Sequence, residues 1–171
     1  YSKDADGGNV NDKTAGGATA ELGSGWDLTL EAGSDLHGMD GLTLYAGMSE
    51  YEQYQNAGSV NGDGSEETYG IKYATGGFTV GYQVSDEETG ETSITGYDNT
   101  YYSVTFSVND DLSIGYNHVE SDQTGGSADA EATSYQAAYT MGGATFRIAD
   151  VSIDNRNYGT TNHDGTVVSM G

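Results

Sequence analysis

From residue 26 onward, apolar and polar residues of this chain alternate one for one, and helical spacing is nearly absent. The stretch 101–120, YYSVTFSVNDDLSIGYNHVE, shows the pattern most fully. Tyr102, Val104, Phe106 and Val108 share one face, Tyr101, Ser103, Thr105 and Ser107 the other. After Asn109-Asp110-Asp111, Leu112, Ile114 and Tyr116 oppose Ser113, Gly115 and Asn117, which predicts a hairpin. Alternation says only that two faces differ. A soluble sheet buries its apolar face in a core, whereas a membrane barrel turns it outward to lipid and keeps its polar face wet.

The same period recurs along the chain. Trp26, Leu28, Leu30 and Ala32 alternate with Asp27, Thr29 and Glu31; Leu42, Leu44, Ala46 and Met48 with Thr43, Tyr45, Gly47 and Ser49. Tyr69, Ile71 and Tyr73 oppose Gly70 and Lys72, and Phe78, Val80, Tyr82 and Val84 oppose Thr79, Gly81, Gln83 and Ser85. Tyr135, Ala137, Tyr139 and Met141 follow, then Ala144, Phe146 and Ile148 opposite Thr145 and Arg147, and a last strand opens at 165–171. This predicts an all-β, antiparallel up-and-down meander of nine strands.

The links carry a second regularity. Short ones at 75–77, 109–111 and 142–143 alternate with long polar ones at 55–66, 86–98, 121–131 and 154–164. Segment 34–41 falls on the short side and 1–25, an acidic loop preceding the meander of 26–171, on the long side. Tight turns at one rim and large loops at the other are the layout of an outer-membrane barrel, whereas Greek-key sandwiches mix loop lengths at both ends. The alternating segments suit tilted membrane strands in length. Tyr69, Tyr73, Tyr102, Tyr116 and Tyr135 sit near the ends of apolar rows, where an aromatic girdle would lie.

Composition narrows the choice. The 171 residues include 27 Gly and 14 Tyr, but 3 Phe, 1 Trp, no Pro and no Cys. A net charge of −22 and a mean hydropathy of −0.58 would suit disorder, yet the abundant tyrosine and regular alternation do not. The acid gathers in stretches such as DADGGNVND, NGDGSEE and SDEETGET. With 5 Lys and Arg in all, the chain is unsuited to nucleic acid or an anionic membrane surface. No disulfide or thiolate metal site can form without cysteine, no apolar run is long enough for a transmembrane helix, and YSKDADGG has no signal-peptide character.

The segment from Ser134, SYQAAYTMGGATFRIADVSIDNRNYGTTNHDGTVVSMG, resembles the closing three strands of alphaproteobacterial general porins of the Rhodobacter type. It has a Tyr-rich strand, a Gly-Gly turn, a strand ending in Ala149-Asp150, an Asn/Asp loop and a Val-rich final strand. The pattern extends back through the 101–120 hairpin and, more weakly, to about residue 26. The resemblance implies the C-terminal half of a sixteen-stranded homotrimeric barrel passing small hydrophilic solutes across the outer membrane of a Gram-negative bacterium. Lipid and lipopolysaccharide would be its partners. The family ends in an aromatic residue, whereas this chain ends at Met170-Gly171.

No catalytic constellation is present: no G-x-S-x-G, no Cys, no H-E-x-x-H and no Walker-type lysine, so the chain reads as a non-enzyme. His37, His118 and His163 lie on separate segments at no ligand spacing. Asp4, Asp6, Asn9 and Asp12, with Asp63 and Glu66, offer hard oxygen ligands among glycines; they suit Ca²⁺ but match neither an EF-hand nor a G-G-x-G-x-D repeat. A solvated acidic loop has the same composition. The resemblance implies the same ion, and no cofactor is required. Lys72 and Arg147 are the basic residues on predicted strands and project from the polar face. In a barrel they would line the pore with Gln83, Ser103, Thr105, Ser113, Asn117 and Gln136.

The reading is therefore a passive, mildly cation-preferring outer-membrane channel. The alternatives are a soluble or extracellular calcium-binding β surface protein, and a structural assembly formed through open strand edges. A dry interior holding Tyr82, Phe106, Ile114 and Phe146 would exclude the channel.

Overall fold

A computed structural model describes residues 22–53 and 62–171. Nine antiparallel strands form one sheet in strictly sequential order. They are β1 (Leu22–Ala32), β2 (Leu42–Gln53), β3 (Gly64–Thr75), β4 (Phe78–Glu88), β5 (Gly96–Ser107), β6 (Leu112–Gln123), β7 (Ala130–Met141), β8 (Ala144–Arg156) and β9 (Thr161–Met170). A four-residue helix, α1 (Ser34–His37), lies in the β1–β2 link and ends at Gly38, whose φ of 77° glycine adopts without cost. The all-β meander read from the alternation is the observed fold.

Tight turns join the strands at one rim. Gly76-Gly77 and Gly142-Gly143 take φ of 55° and 85°, and of 60° and 89°, so that two residues reverse the chain with the twist the strands need. At the β5–β6 turn, Asn109 Oδ1 accepts from the N–H groups of Asp111 (2.9 Å) and Leu112 (2.8 Å), an Asx turn.

The other rim departs from expectation. β1 already includes Leu22, within the expected opening loop, and the links 89–95 and 124–129 are shorter than predicted. Acidic residues read as loop, among them Glu66, Glu67, Asp86, Asp98 and Asp122, lie on strands. The expected long link at 154–164 is instead a reversal over residues 157–160. There Asn155, Asn157 and Tyr158 take positive φ, next to a register shift between Ile153 and Arg156. Asparagine tolerates that region better than most residues, so an Asn-rich stretch that looked like a loop makes a tight corner.

Among the described residues no hydrophobic side chain is buried. The apolar face lies open along its whole length, with Leu30 64%, Tyr82 48%, Ile114 47% and Phe146 42% exposed. Among the described residues no second layer covers it and no dry interior forms. A soluble sandwich needs that face packed against another sheet.

Candidate functional site: two faces of one curved sheet

Strand register assigns every side chain to a face. On the apolar face, Phe78, Val80, Tyr82 and Val84 span about 20 Å along β4, at the usual strand rise. Aromatic residues border this belt on both sides. Tyr73, Phe78, Phe106, Tyr139 and Phe146 lie toward the tight turns; Phe78 and Phe106 stack at 4.2 Å. Trp26, Tyr69, Tyr102, Tyr116 and Tyr135 lie toward the other rim, where Tyr116 contacts Tyr102 at 6.1 Å and Tyr135 at 5.2 Å. Of the five tyrosines expected at the ends of apolar rows, Tyr73 thus lies at one border and the other four at the opposite one.

Beyond the second border the outward face turns acidic. Glu67, Asp86, Asp98 and Asp122 pair in succession across β3 to β6, and Glu120, Glu131 and Asp154 across β6 to β8. The aromatic border is tied to this collar: Trp26 Nε1 donates to Glu50 Oε2 (3.0 Å) and Tyr69 OH to Glu67 Oε2 (3.1 Å). Indole and phenol place an apolar body against the belt and a polar tip toward water.

The opposite face is polar and concave. Cavities of about 420, 470 and 350 Å³ lie against it, lined chiefly by its side chains. Lys72, Gln83, Ser103 and Asn117 line the first; Thr105, Ser113, Gln136 and Arg147 line the third. The structure thus brings all eight residues expected on one wet wall onto one face. Charge on it is graded. Asp27, Ser49, Glu66 and Glu87 form one row across β1 to β4, toward the loop rim. Glu31 and Tyr45 share a row nearer the turns, and Lys72 and Arg147 lie nearer still.

Aromatic side chains also stand on this polar wall. Tyr45 on β2 lies flat across Gly70 of β3, where a Cβ would overlap its ring, and its OH donates to Gln83 Oε1 of β4 at 3.0 Å. That reach covers two strand spacings, about 10 Å. Tyr101 pairs with Gln83 from β5, and Tyr97 lies on the same face of that strand. Tyr158, in the β8–β9 corner, reaches Ser121 Oγ (2.8 Å) and packs on Tyr97 at 5.6 Å. Ser121 in turn donates to Asn99 Oδ1 (2.6 Å), so the corner is pinned to the wall of β5 and β6. Tyr45 and Tyr101 carry a sequence signal, since both occupy the polar parity of their strands, but their shared site depends on register.

Of the expected calcium ligands, the structure describes Asp63 and Glu66. Asp4, Asp6, Asn9 and Asp12 lie outside the described residues. Asp63 precedes β3, Glu66 faces the concave wall, and no three acidic or histidine residues converge among the described residues. His118 stacks on Tyr102 at 4.7 Å and its Nδ1 bonds Thr133 Oγ1 (2.9 Å); His37 Nδ1 accepts from the Met39 N–H (3.1 Å).

No protein-family model matches the chain, and no curated protein matches it in sequence. Solved structures do match in fold. One is outer-membrane expressed OmpT of Vibrio cholerae, with a TM-score of 0.58 at 16% identity over 88% of this chain. Another is in-vitro folded OmpT, an outer membrane protein of the same organism, with a TM-score of 0.55 at 18% identity over 90%. The chain matches 54% and 53% of those proteins, about half the length of each. The nine-stranded meander has the fold of an outer-membrane β-barrel wall.

Proposed function

We propose that this chain is part of the wall of an outer-membrane porin that lets small hydrophilic solutes and ions diffuse passively, with no chemistry performed on them. One observation carries the reading: the apolar face is an uncovered belt bordered by aromatics, while the concave face is polar and charged. In water such a belt would be costly, at roughly 25 cal/mol per Å² of apolar surface; in a bilayer it is solvated. The OmpT fold supports an outer-membrane location. The likeness of the last three strands to Rhodobacter-type porins supports the channel function, and with it a homotrimer in contact with lipid and lipopolysaccharide.

β1 and β9 run in the same direction, so they cannot complete an antiparallel ring by pairing with each other. Closure into a barrel takes an odd number of further strands, consistent with the even strand count of bacterial barrels. Edge-to-edge assembly in water would satisfy β1 and β9 but leave the belt wet, which disfavours that alternative. Asp27, Glu31, Glu66 and Glu87 outnumber Lys72 and Arg147 on the wall and favour cations. Single-channel recording of the full-length protein in planar bilayers tests the proposal. Ohmic steps with a reversal potential shifted toward cations are expected; a protein that inserts without conducting contradicts it.

A further inference from the structure

Tyrosines on a water-facing wall call for an explanation that the outward girdle does not supply. Tyr45 is held flat by the bare backbone of Gly70 and by its bond to Gln83, so one face of its ring packs on the wall and the other looks into the cavity of about 420 Å³. Tyr101, from the far side of the same row, also lines that cavity. Between and beside the two rings stand the Gln83 and Asn117 amides, the Ser103 hydroxyl and the Lys72 ammonium. The volume falls within the range of small-molecule sites, about 300–1,000 Å³.

A ring held flat on the wall, with a second ring lining the same cavity, beside neutral donors and acceptors fits a solute that has both apolar C–H faces and a rim of hydroxyls. Resting on the channel reading above, we propose that this cavity is a carbohydrate subsite on the pore wall. Tyr45 and Tyr101 offer stacking faces to sugar rings, and Gln83, Asn117 and Ser103 exchange hydrogen bonds with sugar hydroxyls. Holding the Tyr45 ring in place beforehand removes the cost of ordering it on binding. The Tyr97–Tyr158 pair lies farther along the wall toward the loop rim and supplies aromatic surface on the path inward. A simple anion is a poorer fit, since Glu31 lines the same cavity opposite Lys72.

The test is block of single-channel current in the full-length protein by maltotriose, with a polyethylene glycol of equal hydrodynamic radius as the steric comparison. Maltotriose is expected to block in a saturable, concentration-dependent way and the polymer not to. Tyr45→Ala and Tyr101→Ala should each raise the half-blocking concentration about fivefold, measured against each variant's own open current. Tyr45→Phe, which keeps the ring and loses the bond to Gln83, should fall between. Where Tyr45→Ala fails to fold, Tyr101→Ala and Tyr45→Phe still decide the matter. Conductance with equal block by sugar and polymer, or block unchanged in these variants, overturns the subsite and leaves the channel standing. Absence of conductance overturns both.

Discussion

Val104 and Thr105 are neighbours on one strand with the same backbone geometry, yet the proposed channel would put them in different solvents. The outward face offers Val104, Ile114 and Ile148 at 40%, 47% and 48% exposure, with no protein to pack against. The inward face, one residue along, offers Thr105, Gly115 and Ala149 to the polar concavity. In the proposed channel, stability on the outward face would come from leaving water for lipid, and on the inward face from hydrogen bonds and close fit between neighbouring side chains. The two faces should therefore respond differently to the same kinds of substitution.

The largest difference is expected from arginine. Val104→Arg puts a cation in the middle of the belt and should cost about 2–4 kcal/mol of folding into lipid, whereas Thr105→Arg, on the wall, should cost little. Urea titration of the two variants in vesicles separates them; equal destabilisation would break the comparison. A packing change on the inner face comes next. Gly70→Val would drive the Tyr45 ring off the wall, at about 1–3 kcal/mol. Adding Tyr45→Ala should recover much of that loss, and two additive penalties would argue against the contact.

Charge gives the smallest effects on stability. Asp98 lies directly between Asp86 and Asp122 in the outward collar, so Asp98→Asn should stabilise by about 0.2–1 kcal/mol at low ionic strength and less at high salt. On the inner wall Lys72→Glu should leave stability nearly unchanged and shift the reversal potential further toward cations. An unchanged reversal potential would remove Lys72 from the conducting path.

Much of this was legible in the sequence because period-2 alternation survives every packing environment. The strands containing Trp26–Ala32, Phe78–Val84 and Tyr102–Phe106 could be read residue by residue, together with the face of Lys72 and Arg147. The loop rim is hidden from the sequence for a physical reason. Glu67, Asp86, Asp98 and Asp122 look like loop residues because strands seldom carry rows of acid, yet here the strands run on past the apolar belt. Tyr158 and its corner were hidden because the positive φ of Asn155 and Asn157 makes a tight reversal out of what composition describes as loop. The Tyr45–Gly70–Gln83 contact joins three strands, and no pattern within one strand states their register.

The central claim is that alternate residues of one strand face lipid and water. These 171 residues contain no cysteine, so single substitutions at 103, 104, 105 and 106 can be labelled with a membrane-impermeant thiol reagent in the full-length protein in lipid, with the unsubstituted protein as background. Rapid labelling is expected at Ser103→Cys and Thr105→Cys, and protection at Val104→Cys and Phe106→Cys. Labelling at 104 and 106 with protection at 103 and 105, or uniform labelling of all four, would contradict that claim.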